Sequence, residues 1–219
     1  MKENIIIIGN GGHANSCIDV IEKIEKFNII GFVDKKLDSN DLKYGYSIIG
    51  KDEDLDKIFK NTKNAAMGIG YIKDPKVRAN LFIKAVDIGF KFPPLLSPNA
   101  YVSNQALIGD GTIVMHGAIV NAGVKIGKNC IINTGAIIDH DVSIGDNCHI
   151  STGAIINGQC KIDICTFVGS GSVLREKIQI GKNCFIAMGS KIILNEYKKI
   201  KYNNIKILPS IRFEYYLSL

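Results

Sequence analysis

Residues 106–126 read ALIGDGTIVMHGAIVNAGVKI. An aliphatic residue recurs in this stretch at every sixth position: Ile108, Val114, Val120 and Ile126. The spacing continues through sixteen successive positions from Val102 to Ile192, and a mostly small residue stands two places before each of them. Because side chains two apart on a β-strand share one face, each six-residue unit presents one large and one small side chain inward. Short strands joined by turns at this spacing predict a parallel β-helix.

Four glycines indicate the length of one coil. Gly109, Gly127, Gly145 and Gly181 are separated by eighteen residues or by twice eighteen, and Asp163 fills the skipped place. Three six-residue faces therefore form one triangular coil, and the segment holds about five coils. Four of the six cysteines fall on the small inward position, where we expect packed core thiols: Cys130, Cys148, Cys160 and Cys184.

The first ninety residues show a different pattern, in which apolar strands alternate with helices. Strands are predicted at 4–8, 29–33, 46–49 and 65–69, and a helical pattern with Ile18, Ile21 and Ile24 on one face follows the first of them. Further helices are predicted at 52–60 and 74–88. This alternation predicts a small Rossmann-like α/β domain with a parallel sheet. We therefore divide the chain into an α/β domain (1–95), a β-helix (96–194) and a C-terminal tail (195–219).

A glycine-rich loop follows the first predicted strand. Gly9-x-Gly11-x-x-Ala14 fits the loose dinucleotide fingerprint, and Asp34 ends the second strand, where a ribose-binding acid is expected. Glycines let the backbone approach a phosphate, and the helix N-terminus favours its charge. Gly12 and His13 complete the loop, with His13 either facing a phosphate or only capping the turn. Because the domain has the size of one mononucleotide-binding half, we expect a nucleotide diphosphate rather than a nicotinamide cofactor.

Composition excludes several classes of protein. The formal net charge is +6, but the lysines are scattered, which does not favour nucleic-acid binding. No apolar run is long enough to cross a membrane, and no C-x-x-C pair is present. We therefore expect a cytoplasmic protein without a zinc site or a disulfide framework.

The short G-x-G-G-H domain followed by hexapeptide repeats resembles the sialic acid O-acetyltransferases and the bacterial N-acetyltransferases of UDP-4-amino sugars, the NeuD/PglD-like family. The resemblance covers residues 4–192 and is most specific over 29–34, 133–141, 149–158 and 166–171. It implies a left-handed β-helix, acetyl-coenzyme A as co-substrate, and a homotrimer with sites between neighbouring prisms. The implied acceptor is a nucleotide sugar or a nonulosonic acid, with no metal.

The resemblance also assigns roles to residues of the β-helix. A histidine acts as general base and an acid follows it, which implies His140 and Asp141 here, while Asn133 aligns with a residue that contacts the acceptor. Imidazole titrates near neutrality and can accept the proton that an amine or hydroxyl loses on attacking the thioester. The carboxylate can hold the other ring nitrogen. Contacts with the coenzyme are implied for His149, Gly158 and Gly189.

Alternatives remain open at this point. Transfer to the amine of a UDP-4-amino sugar and transfer to a hydroxyl of sialic acid or a related nonulosonic acid use the same fold, base and coenzyme. A γ-type carbonic anhydrase would need three histidines on zinc; His116, His140 and His149 are present, but their spacing does not resemble that family's, and we predict a structural role for His116.

A non-catalytic nucleotide-sugar-binding protein is the third alternative. It stays open because the family's C-terminal G-x-P-A-K/R segment is missing, and residues 207–210 read ILPS instead. Residues 191–212 carry six basic side chains against Glu196. They would either pair with coenzyme phosphates in place of the missing segment or form a lysine-rich tail.

Overall fold

The computed structural model describes residues 1–35, 42–72, 74–193 and 206–207. The first part of the chain is an α/β domain, and a prism of short parallel strands follows it. The elements of the α/β domain are β1 (Glu3–Ile8), α1 (Gly12–Ile24), β2 (Phe27–Val33), β3 (Ile48–Gly50), a 3-10 turn (Asp52–Asp54), α2 (Leu55–Ile58), β4 (Asn64–Met67) and α3 (Lys76–Ile88).

The four strands of this domain form a parallel sheet in the order β3-β2-β1-β4. The isoleucine run of β1 is fully buried because helices cover both faces of the sheet. Ile5 and Ile7 pack toward α1, whereas Ile6 and Ile8 pack toward α2 and α3. The α/β character predicted from the alternating pattern is thus confirmed.

Element boundaries differ from the prediction by one or two residues at several strand ends, and three further differences are larger or have a local cause. The predicted helix 52–60 is split into the 3-10 turn and the short α2. Helix α3 begins at Lys76 because Pro75 precedes it as the N-cap residue. Strand β3 begins at Ile48 because residues 43–46 form a tight hairpin before it.

The prism is built from two-residue strands, which recur every six residues from Leu95 to Ile192. They are β5 (Leu95–Leu96), β6 (Tyr101–Val102), β7 (Leu107–Ile108), β8 (Ile113–Val114), β9 (Ile119–Val120), β10 (Lys125–Ile126), β11 (Ile131–Ile132), β12 (Ile137–Ile138), β13 (Ser143–Ile144), β14 (His149–Ile150), β15 (Ile155–Ile156), β16 (Lys161–Ile162), β17 (Phe167–Val168), β18 (Val173–Leu174), β19 (Gln179–Ile180), β20 (Phe185–Ile186), β21 (Lys191–Ile192) and β22 (Lys206–Ile207).

Each strand from β5 to β21 pairs in parallel with the strand eighteen residues away, as Ile137 pairs with both Ile119 and Ile155. Three sheets result, and they form the three faces of a left-handed parallel β-helix. The aliphatic residues at the predicted period line one continuous core inside the prism. The small residues two places earlier, from Thr112 to Ser190, are buried as well. Both inward positions predicted from the repeat are therefore confirmed.

Every corner of the prism from residue 111 to residue 189 contains one residue with a positive φ, again at a spacing of six. Half of these corner positions are glycine, which adopts this left-handed conformation at little cost. The others carry side chains and are Asn129, Asp141, Asn147, Gln159, Cys165, Lys177 and Asn183. The left-handed conformation is thus a regular feature of the corners, and Asp141 occupies one of these corner positions.

The α/β domain rests on one face of the prism. Helix α1 packs on the outward side chains of Leu95, Ile113 and Ile131. Arg78 of α3 is fully buried and donates to the carbonyl oxygens of Met67, Ile69 and Asn129, the last of which belongs to the prism. The same guanidinium therefore links the end of β4 and the residues after it to the prism.

None of the helices in the part of the chain that the structure describes combines the length and the apolar content needed to cross a bilayer.

Candidate active site

The predicted base lies on an exposed corner of the prism, between β12 and β13. The Nδ1 atom of His140 is 3.0 Å from Oδ2 of Asp141, and more than half of each side chain is exposed. The carboxylate accepts the proton of Nδ1 and thereby fixes the tautomer in which Nε2 carries the lone pair. The two residues of the dyad predicted from the sequence are therefore in contact, on an exposed corner of the prism.

The backbone of this corner is held by a second carboxylate. Asp139 Oδ1 accepts from the His140 backbone N–H (2.8 Å) and from Asn121 Nδ2 (3.0 Å). These hydrogen bonds, the backbone one first, lower the pKa of Asp139. Asp141 adopts φ 60°, a conformation that aspartate and asparagine tolerate better than most residues. The corner thus orients the imidazole through the backbone as well as through Asp141.

Gly158 supports the imidazole from the coil above. A Cβ atom at residue 158 would lie 2.6 Å from His140 Nε2 and 2.7 Å from Cε1, so only glycine leaves room for the ring in this position. The resemblance placed Gly158 on the coenzyme path. In the structure Gly158 lies directly against the His140 ring, and this contact alone requires glycine at this position.

Replacing Gly158 by alanine is expected to lower kcat by about 10²-fold, because the methyl group pushes the imidazole out of position by roughly an ångström. The backbone of Gly158 is not in the left-handed region, so folding should be little affected. Steady-state kinetics combined with thermal unfolding measures both quantities. Gly181→Ala is the matched control, since its Cβ would find no atom closer than Cys184 Sγ at 4.0 Å. Equal kcat in the two variants would contradict this role of Gly158.

The Asp141 carboxylate raises the pKa of His140. A general base must be neutral, so activity is expected to rise as pH increases through this raised pKa. Asp141→Asn keeps a residue suited to the left-handed corner but removes the charge. We therefore expect the acidic limb of the kcat/KM profile to move to lower pH, with a lower plateau because the base is weaker. An acidic limb at the same pH in both enzymes would show that Asp141 does not tune the base.

Asn133 and His149 meet at a different corner, at the other end of the face that carries β12. Asn133 Nδ2 is 3.3 Å from His149 Nε2, and His149 Nδ1 is 2.8 Å from the Tyr71 carbonyl oxygen. The ring packs edge-on against Tyr71 and Phe167, and burial lowers the pKa of His149 to about 4. His149 is therefore neutral and bonded through both nitrogens between the two domains. Its contact with a coenzyme stays a prediction, and Tyr71 was not identified from the sequence.

The glycines of the predicted nucleotide loop, taken with Gly68 after β4, fall into two groups. A Cβ at residue 9 would lie 2.2 Å from Ile69, and one at residue 68 would lie 2.4 Å from the Gly9 carbonyl oxygen, so packing within the chain explains these two. At Gly11 and Gly12 a Cβ would meet nothing within 4 Å. Packing against the described residues therefore gives no reason for glycine at these two positions, whereas close approach of a ligand does.

Asp34 and His13 flank this loop. Asp34 Oδ2 accepts from the Asn10 backbone N–H at 2.7 Å, which brings the predicted ribose-binding acid beside the glycine-rich turn. His13 lies against Gly70, burial lowers its pKa to about 3, and its Nε2 has no hydrogen-bond partner among the described residues. Lys43 also contacts the loop, although no motif in the sequence identified it. The Tyr44-Gly45 pair beside it could have predicted a tight turn at this position.

Gly189 lies apart from these groups, at a late corner of the prism with φ 70°, which explains glycine there without a ligand. The basic stretch and the ILPS segment lie almost wholly outside the described residues, which end at 193 apart from 206–207.

Among the described residues, no three His, Cys, Asp or Glu side chains converge as a metal site would require. His116 is bonded to Ser97 Oγ (2.6 Å) and Asp19 Oδ2 (2.8 Å), linking the prism to α1.

Comparison with protein families divides the chain as its two architectures do. The PglD N-terminal domain family matches residues 4–85. The bacterial transferase hexapeptide family (six repeats) matches residues 105–140 and 123–158, and the hexapeptide repeat of succinyl-transferase matches 166–192. A comparison with curated proteins gives no match.

Solved structures extend the similarity over both domains. The acetyltransferase domain of PglB from Neisseria gonorrhoeae FA1090, in complex with acetyl coenzyme A, has a TM-score of 0.80 and 27% identity over 88% of this chain and 93% of its own. PerB from Caulobacter crescentus, in complex with CoA and GDP-perosamine, has a TM-score of 0.78 and 30% identity over 87% of this chain and 88% of its own. WeeI from Acinetobacter baumannii AYE shares the fold, with a TM-score of 0.67 and 21% identity over 89% of this chain and 98% of its own.

The matched regions contain the features described above: the glycine-rich loop that opens α1, the eighteen-residue coils, and the corner that carries the His140–Asp141 dyad. The chain therefore belongs to the hexapeptide-repeat acetyltransferases that carry a PglD-type N-terminal domain, the NeuD/PglD-like family that its sequence resembles.

Proposed function

We propose that this protein transfers an acetyl group from acetyl-coenzyme A to the amine of a nucleotide-activated amino sugar, in the biosynthesis of a bacterial surface glycan. The exposed His140–Asp141 dyad, with its imidazole seated on Gly158, carries the proposal. Relatives of the same two-domain architecture support it, since one binds acetyl coenzyme A and another binds CoA with GDP-perosamine. Six unpaired cysteines support a cytoplasmic location.

In this proposal His140 Nε2 takes a proton from the sugar amine as the nitrogen attacks the thioester carbonyl. Asp141 stabilises the imidazolium that forms, and the Asp139–Asn121 pair keeps the corner in place. A C–N bond forms and the C–S bond breaks, so the products are the N-acetylated sugar and the free thiol of the coenzyme. His140 holds the abstracted proton until it is passed to the leaving thiolate or to water.

The nucleotide part of the acceptor is assigned to the loop between β1 and α1. Gly11 and Gly12 leave open space above the first turn of the helix, whose N–H groups favour a phosphate. Asp34 follows β2 and accepts from the Asn10 N–H beside this loop, where it would contact a ribose hydroxyl. This arrangement supports a nucleotide sugar over free sialic acid, which has no diphosphate. It leaves the base of the nucleotide open.

We also propose a homotrimer, because one face of the prism is apolar and uncovered in the described part of the chain. The α/β domain covers the face that begins with β5, and the face of β7, β10, β13, β16 and β19 carries mainly polar outward residues. The remaining face presents a row of partly exposed apolar side chains: Ile119, Ile137, Ile155 and Val173, with Tyr101 at one end. His140 lies at the edge of this face, next to where a second prism would pack.

Replacing Ile137 by glutamate is expected to dissociate the trimer, because a charge would be buried in the middle of the apolar row. Light scattering coupled to size exclusion measures the mass of the particle, and turnover is expected to fall with it. Ser143→Glu on the polar face is the matched control and should keep the mass of the native protein. A particle of native mass with Ile137→Glu would rule out this face as the interface.

Release of coenzyme thiol from acetyl-coenzyme A tests the reaction itself. The acceptors are UDP- and GDP-linked 4-amino sugars, sialic acid and CMP-sialic acid, each with the native protein. Turnover with an amino sugar supports the proposal, and mass spectrometry places the acetyl group on nitrogen. Turnover with sialic acid alone would establish the O-acetyltransferase instead. Nucleotide-sugar binding by folded protein without thiol release would favour a non-catalytic binding protein.

A further inference from the structure

We infer that Lys43 is a phosphate-binding residue of the nucleotide site, an inference that rests on the nucleotide-sugar acceptor proposed above. The Lys43 ammonium donates to the carbonyl oxygens of Asn10 and Gly11, at 3.1 Å for the second. These carbonyls belong to the loop that leads into α1. An ammonium has three N–H donors, and within the described residues these two carbonyls are its hydrogen-bond partners. One donor therefore remains for a ligand in the loop.

A tight hairpin fixes the position of Lys43. Its backbone exchanges two hydrogen bonds with Tyr46, at 2.9 and 3.0 Å. Tyr44 (φ 52°) and Gly45 (φ 87°) between them have the positive φ values of a type I′ turn, the commonest two-residue hairpin connection. The Tyr46 hydroxyl donates to Glu22 Oε1 of α1 at 2.9 Å. The hairpin is thereby attached to the same helix whose N-terminus Lys43 approaches.

The sign of the charge indicates an anionic ligand. A helix N-terminus carries a partial positive charge, which proteins commonly balance with an acid in the first turn or a side-chain cap. Helix α1 has no acid in its first turn and no side-chain cap at Gly11. Lys43 adds a second positive charge at the same point. Asp34 accepts from the Asn10 N–H at the same loop, and a diphosphate beside the first turn would be bound both by the helix N-terminus and by the ammonium.

Unused polar atoms at the loop support a ligand independently. Asn10 Oδ1 and His13 Nε2 are buried and have no hydrogen-bond partner among the described residues. Buried polar atoms are nearly always paired, so each exception needs an explanation. Asn10 is also the residue whose backbone carbonyl accepts from Lys43, so its unpaired acceptor belongs to the loop beside which the proposed ligand would lie.

Isothermal titration of the full chain with UDP and with GDP tests the inference, comparing native protein with Lys43→Gln, Lys43→Arg and Lys60→Gln. We expect Lys43→Gln to raise Kd by about tenfold or more, because a charge-assisted hydrogen bond is lost. Lys43→Arg should recover most of the affinity. Lys60 is exposed and lies in the turn after α2, outside both the loop and the hairpin, so Lys60→Gln should bind as the native protein does. With the nucleotide sugar as substrate, Lys43→Gln should raise KM and leave kcat unchanged.

The outcomes separate the two proposals. Native affinity in folded Lys43→Gln overturns the role of Lys43 and leaves the acetyl-transfer proposal standing. A kcat loss with unchanged KM also overturns it, since that would place Lys43 outside phosphate binding. A native protein that binds neither nucleotide, while still releasing thiol with an unactivated sugar, overturns both the nucleotide-sugar acceptor and the role of Lys43.

Discussion

Replacing His140 by asparagine is expected to lower kcat for acetyl transfer by about 10²- to 10⁴-fold, the range measured when a general base is removed. The imidazole is more than half exposed, so its loss leaves no cavity in the core. Asparagine keeps a polar side chain at the corner but has no group that accepts a proton near neutral pH. Initial rates of thiol release at saturating substrates, together with thermal unfolding, measure activity and fold separately.

His116→Asn is the control for losing a histidine from the same prism. Its ring is bonded to Ser97 and Asp19 rather than to the dyad, so kcat should stay near the native value. Retention of native kcat by His140→Asn would show that another group accepts the proton. Binding of acetyl-coenzyme A by that variant should persist, because the base is expected to act on the acceptor.

Replacing Arg78 by methionine is expected to lower the free energy of unfolding by roughly 3 kcal/mol or more, because three buried carbonyls lose their donor. The guanidinium is fully buried, and burial lowers its pKa only to about 10, so it is charged at neutral pH. Its acceptors, Met67, Ile69 and Asn129, lie on both sides of the domain junction. The variant should therefore lose the attachment of the α/β domain before the prism unfolds.

Urea unfolding followed by circular dichroism gives the free energy, and limited proteolysis detects early release of the α/β domain. Arg175→Met is the control. Arg175 is partly exposed beside Glu176 on a late corner of the prism, so the change should stay within about 0.5 kcal/mol. A native unfolding midpoint for Arg78→Met would show that other packing, such as that of α1, holds the domains together.

The prism could be predicted from the sequence because its interactions repeat at a fixed separation. Every inward position obeys the same steric rule in each coil, so the period revealed both the coil length and the two core positions. The parallel sheet of the α/β domain could be predicted as well, because its apolar strands alternate regularly with amphipathic helices. Its boundaries were less accurate where a local turn decided them, as at Pro75.

The candidate site was predictable only in part. The His140–Asp141 pair is adjacent in sequence, and its contact needs only a short reach across a corner. Long-range hydrogen bonds position three other side chains, those of Arg78, Tyr71 and Lys43. No sequence periodicity relates a lysine in a hairpin to a loop more than thirty residues earlier, so the Lys43 contact could not be predicted. Gly158 was singled out for a coenzyme role, whereas its contact with the base needs the stacking of two coils.

The uniform coil also limits how a gene for such a protein can change in length. From residue 111 to residue 189 each corner has the same left-handed conformation, and each strand from β5 to β21 pairs with the one eighteen residues away. Gain or loss of one whole coil in this part of the prism therefore rejoins equivalent positions. Loss of a single six-residue unit would instead rotate all later coils by one face. His140 would then keep its local contacts with Asp141 but face the wrong neighbour. Duplication or deletion of a whole coil is thus expected to preserve the strand pairing, and it would change the distance between the glycine-rich loop and His140 in the same steps.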